Sequence, residues 1–153
     1  MMETLIAVSL LIVVSVAIST SVMNQSGESD HSISWLTSQG RHILSSADDL
    51  GILRPAVYLA DSSAFASDAS SFQSELEIMI SSQLPTIAQF LVIRVDLENI
   101  GRDGGIPIVD TGSRPDENTE VVVASYLLGG YSSSEYGTFK AVYAVYLHIW
   151  LLV

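Results

Sequence analysis

The chain has 153 residues, enough for one globular domain plus an additional segment and too few for two full domains. Six Lys/Arg against 17 Asp/Glu leave a net charge of −11, and no basic stripe offsets it, so nucleic acids and anionic lipid surfaces are disfavoured as partners. There is no cysteine, which excludes disulfides, Cys-ligated zinc, iron–sulfur clusters and thiol catalysis.

Hydrophobic residues make up 48% and charged residues 15% of the chain, and the apolar excess sits at its two ends. From Thr4 to Gly27 no residue is charged. The run from Leu5 to Val14 is apolar all round, whereas a soluble amphipathic helix keeps a polar face. Twenty residues of helix rise about 30 Å, the thickness of a hydrocarbon core. Thr4–Met23 is therefore predicted to be a long apolar helix. Three readings of it compete. A cleaved secretory signal needs a basic start, yet no Lys or Arg precedes Arg41, and Ala17-Ile18-Ser19 is a weak cleavage site. A single-pass anchor usually carries basic residues on its cytoplasmic flank. The flank here is Met1-Met2-Glu3, which reads as a chain whose basic leader has been removed. In the third reading the helix packs against copies of itself. Glu3 then pairs with the free amine of a neighbouring helix. Ser15 and Ser19, like Ala17 and Ser21, fall four apart and permit close helix approach.

Met2-Glu3-Thr4-Leu5-Ile6 followed by a Val/Ile/Leu run resembles archaeal type IV pilin-like proteins with class III signal peptides. In that family a short basic leader is cut by a prepilin peptidase, and a Glu near the new N-terminus precedes the apolar helix. The resemblance covers some 22 residues closely and the remainder only in layout. It implies export and assembly machinery, including a prepilin peptidase and an assembly ATPase.

Beyond the helix, Asn24-Gln25-Ser26 is a glycosylation sequon inside a polar hinge that runs to Asp30. Ser32 to Leu50 has helical spacing, with Ile33, Leu36, Ile43, Leu44, Ala47 and Leu50 on one face. Leu53 to Leu59 is predicted as an edge strand because of Pro55. Asp61–Ser71 reads as a loop, and Ser71 to Leu84 as a second helix stopped by Pro85. The apolar period then falls to two. Strands are expected at Ile87–Leu97, Ile106–Val109, Thr119–Leu128 and Thr138–Val153, with loops at Asn99–Gly105, Thr111–Asn118 and Gly129–Gly137. Both alternating sets of the last strand are apolar toward its end, so both faces of the sheet are expected to be covered, one by the core and one by a helix or a neighbouring subunit.

No catalytic constellation emerges, and the chain is not expected to be an enzyme or to hold a cofactor. His31, His42 and His148 match no metal spacing, and His148 is expected to be packed within a strand. Gly101-Arg102-Asp103-Gly104-Gly105 lacks the Lys-Ser/Thr of a phosphate loop and reads as a turn. Asp110, Asp116, Glu117 and Glu120 form an acidic loop, read as solvated rather than calcium-binding. Trp35 and Trp150 are assigned to the core or to an interface.

The predicted fold class is α+β: a long N-terminal apolar α-helix (1–26), then an acidic head domain (27–153) with an antiparallel sheet and one or two packed helices. The expected function is a structural, pilin-like subunit of an archaeal surface filament. It would insert in the membrane before assembly and then polymerise with other copies through Glu3, Leu5, Leu10, Leu11, Val14, Ser15, Ala17 and Ser19, with Asn24 a possible glycosylation site. The short strands favour a pilus over an archaellum. The alternatives are a monomeric membrane-anchored surface or binding protein and a minor pilin.

Overall fold

The computed structural model of the protein describes residues 29–99 and 105–152. The first helix, α1 (Ser29–Asp49), buries Leu36, Gly40, Ile43, Leu44 and Ala47 and turns Ser34, Ser38, Arg41 and His42 to water. That spacing of four, seven, eight and eleven is one helical stripe. Its C-terminus closes on Gly51 at φ +74°. There the Gly51 N–H reaches Asp48 O and the Ile52 N–H reaches Ala47 O, both at 3.0 Å. This is a Schellman cap, and the positive φ is what glycine supplies.

The short helix α2 (Leu53–Tyr58) stands where an edge strand was expected. Pro55 is tolerated because it lies in the first turn, where backbone N–H groups have no helical acceptor. Its carbonyl then accepts from Leu59 N at 3.0 Å. The third helix, α3 (Ala66–Gln83), begins inside the expected loop and buries Ala69, Leu76 and Ile80. Pro85 ends it by forcing Leu84 to an extended conformation.

Among the described residues six strands follow: β1 (Ala88–Asp96), β2 (Ile106–Asp110), β3 (Val122–Leu128), β4 (Tyr131–Ser133), β5 (Gly137–Phe139) and β6 (Tyr143–Leu151). The main sheet has the order β2-β1-β6-β3 with every neighbour antiparallel. The expected loop at Gly129–Gly137 instead holds a small hairpin of β4 and β5. The expected final strand is broken at Lys140–Val142 into β5 and β6.

Along β1 burial alternates. Phe90, Val92 and Arg94 face the helices, as do Val145, Leu147 and Ile149 of β6 and Ala124 and Leu128 of β3. These residues form one core with Ile43, Leu44, Val57, Leu76 and Ile80. A register shift between Val92 and Ile93 lets the consecutive Ile108 and Val109 both be buried, as a β-bulge does.

The expected architecture is thereby corrected. Residues 1–26, expected as a long apolar helix, lie outside the described residues, and no described helix is long and apolar enough to cross a membrane. α1 has the length, but Arg41, His42 and its serines give it a wet face. The described residues form a small α+β domain with a four-stranded antiparallel sheet and three helices, not one or two.

The expected covering of both sheet faces also divides. One face packs on the helices. The other carries Leu91, Ile93 and Val95 on β1, Tyr146 and His148 on β6, and exposed Val123 and Leu127 on β3. At one end the β2–β3 loop folds toward this second face, and Ser113 Oγ donates to Gln89 Oε1 at 3.0 Å. Trp150, opposite Gln89, is 2% exposed, as expected of a core or interface aromatic.

Candidate functional site

The assembly residues expected from the sequence, Glu3, Leu5, Leu10, Leu11, Val14, Ser15, Ala17 and Ser19, and the sequon residue Asn24, all lie outside the described residues. The site that the described residues build lies elsewhere in the chain, where α2 meets the β4–β5 hairpin.

Tyr58 at the end of α2 is its hub. The Tyr58 hydroxyl donates to Ala141 O at 2.7 Å and accepts from the Gly130 N–H at 2.8 Å. One phenol thus ties the hairpin's two flanks to α2. The ring packs on Tyr131, Phe139 and Tyr143 with centroids 5.9, 5.9 and 4.9 Å away. Burial raises the Tyr58 pKa, so the phenol stays protonated and able to donate. Farther along the hairpin, Tyr136 meets Phe65 and Phe72 edge-on at 5.0 and 6.3 Å, pinning the hairpin to α3.

Two arginines brace this cluster. Arg94, near the C-terminal end of β1, is 4% exposed. It donates to Val57 O at 2.8 Å, pairs with Asp61 and lies 4.4 Å over the Tyr143 ring. Arg54 on α2 holds Asp48 of α1 at 2.8 Å and donates to Gly130 O. The Asp48 hydrogen bond raises the Arg54 pKa. Tyr126 of β3 donates to the same carboxylate at 2.8 Å, and that bond raises its own pKa. Asp48 therefore links α1, α2 and β3.

An open cleft of about 640 Å³ results, lined by Arg54, Gly130, Tyr131, Ser132, Phe139 and Lys140 among others. It offers an aromatic wall, hydroxyls and a cation. It holds no nucleophile paired with a base, and among the described residues no group of three or more His, Asp or Glu is placed to hold a metal ion. What the cleft presents is therefore a surface of rings, hydroxyls and one lysine.

The acidic loop is divided. Asp110 forms a two-point pair with Arg114, both contacts at 2.8 Å, and accepts from the Gly112 N–H at 2.8 Å. Arg114 first, then the Gly112 N–H, lower the Asp110 pKa to about 2. Because the folded value lies below the unfolded one, the stabilisation is present above pH ~4 and is lost as pH falls toward 2. Arg114→Gln is expected to raise the Asp110 pKa toward 4 in a carboxyl NMR titration, and an unchanged midpoint would contradict the pairing. His148 is half-buried on the second sheet face, and burial lowers its pKa, in line with the expected packed histidine.

No family model, curated protein or solved structure matches the chain.

Sequence reasoning missed Arg94 and Tyr58. A lone Arg two residues past Val92, on the core-facing register of an apolar strand, was a usable signal for the first. Tyr58 carried none, because its partners lie 72 and 83 residues away.

Proposed function

We propose that the protein is a structural, pilin-like subunit of an archaeal extracellular filament, not an enzyme. The observation that supports this most is the uncharged stretch from Thr4 to Gly27, led by Glu3 and joined to an acidic head. Such a stretch is stable in hydrocarbon or among like segments, and the −11 chain it carries belongs in water. In this reading the segment resides in the cytoplasmic membrane before assembly. Copies then replace lipid around it by a head-to-tail contact, which gives an open helical polymer rather than a closed ring. Leu5, Leu10, Leu11 and Val14 supply packing area, and Ser15, Ala17 and Ser19 allow close approach. Glu3 sets register by pairing with a neighbour's terminal amine in low dielectric. The prepilin peptidase and assembly ATPase belong to the resemblance.

Glu3→Gln is expected to abolish or sharply reduce filaments in sheared surface material seen by electron microscopy, while the head stays folded by circular dichroism. Wild-type filament yield from that variant would remove the pairing role. Recovery of the unaltered chain only as detergent-soluble monomers would sink the filament reading itself. It would favour the second reading, a monomeric anchored binding protein, for which the aromatic cleft beside Lys140 speaks.

A further inference from the structure

The two edges of the main sheet are built differently. β2 is guarded: it carries Pro107, a bulge and the paired Asp110. Each of these discourages another strand from adding. β3, the other edge, reads Val-Val-Ala-Ser-Tyr-Leu-Leu. It has no charge, no proline and no register shift across seven residues. Val123, Ser125 and Leu127 are exposed, the two aliphatics at 42% and 63%. Among the described residues no backbone hydrogen bond beyond the β6 ladder is made by Val122–Leu127. α1 packs on the core-side face of β3: a Cβ on Gly40 would meet Ala124 first, then Ile149 and Leu147 of β6, so the helix covers that face while Val123, Ser125 and Leu127 of the opposite face stay exposed.

We propose that β3 is a self-association edge, to which β3 of a second copy adds antiparallel with Ser125 opposite Ser125. The two sheets become continuous. Three features of this chain select a second copy over a foreign strand. The exposed side chains are self-complementary about Ser125, since Val123 then faces the partner's Leu127 and Leu127 the partner's Val123, an aliphatic cross-strand pair made twice. The charges are self-complementary too. Antiparallel addition brings the start of one β3, which Glu120 precedes, toward the end of the other, beyond which Lys140 lines the cleft with Gly130, and Lys140 has no carboxylate partner among the described residues. Finally, an uncharged edge is where two copies of a −11 chain meet with least repulsion. The contact is isologous and closes on itself, so it pairs heads and is separate from any open polymerisation through the N-terminal segment.

The absence of cysteine makes the test direct. Opposed residues of an antiparallel pair have Cα atoms about 4.5–5.5 Å apart, within disulfide range. The full chain carrying Ser125→Cys, purified in detergent and mildly oxidised, should form a disulfide dimer about ten times more readily than the chain carrying Ser70→Cys on exposed α3. Crowding of chains through the N-terminal segment raises both yields alike, so the ratio reports β3 whether or not the filament reading holds. Leu127→Lys added to Ser125→Cys should bring the yield down to the Ser70→Cys level with an unchanged circular dichroism spectrum. Glu120→Lys should lower the yield and Lys140→Glu should restore it. A mixture of Val123→Cys and Leu127→Cys chains should cross-link to each other and not to themselves, which tests the same register without altering Ser125. Equal yields at positions 125 and 70, or no response to Leu127→Lys, overturns the proposal.

Discussion

Arg94→Met is expected to destabilise the folded domain by about 2–4 kcal/mol in urea unfolding, with an unchanged slope. Methionine keeps much of the stem's volume, so the loss is not mainly a cavity. It comes first from the Val57 carbonyl, which would be left without its buried donor at a cost of about 1–3 kcal/mol. The guanidinium over the Tyr143 ring adds about 1 kcal/mol more. Asp61 adds little, because at 57% exposure water replaces the lost partner. Asp61→Asn should accordingly cost less than about 1 kcal/mol. Arg94→Lys should recover only part of the loss, since one ammonium does not reproduce the planar fork that spans Val57 O and Asp61. If Arg94→Met matched the parent within about 0.5 kcal/mol, the assignment of Arg94 as the brace between β1 and α2 would be wrong.

Gly40→Val is expected to cost about 2–3 kcal/mol, read as a fall in Tm. The reason is distance. A Cβ at Gly40 would stand 2.6 Å from the Ala124 Cβ, well inside the 3.5–4.0 Å of a normal carbon contact. Ala124 is a stub with no rotamer to yield, so α1 or β3 must move. Gly40→Ala carries the same clash with a smaller group and regains about 1 kcal/mol of helix propensity, so its net loss should be smaller. Ala124→Gly should rescue Gly40→Ala in a double-mutant cycle, because the two positions share one contact. Additive losses would mean that the close approach is not what Gly40 is for.

These two positions mark the boundary of what pattern alone could reveal. Amphipathic stripes disclose α1 and most of α3, and alternation discloses β1, β2, β3 and β6, because each of those signals is local to one element. The short helix α2 was misread. Pro55 forbids a central strand, but it permits a first helical turn equally well, and only packing against α1 and α3 decides between them. The β4–β5 hairpin has the sequence signature of a loop because Ser132, Ser133 and Ser134 have no apolar period. It is held by Tyr131, Tyr136 and Phe139 against rings on α2 and α3. The break between β5 and β6 is invisible for the opposite reason: Ala141 and Val142 keep the alternation while their carbonyls turn to Tyr58 and Leu97.

By itself the sequence determined the charge, the absence of thiol chemistry, the uncharged stretch from Thr4 to Gly27 and the α+β class of the domain described beyond it. Composition and period are properties of neighbouring residues and need no partner to be read. Only the tertiary structure decided that the described helices cover one face of the sheet, that Arg94 and Tyr58 are its polar pins, and that β2 is a guarded edge while β3 carries no such guard among the described residues. Strand order, edge exposure and hydrogen bonds between residues up to 83 positions apart exist only once the chain has closed on itself, and no local window contains them.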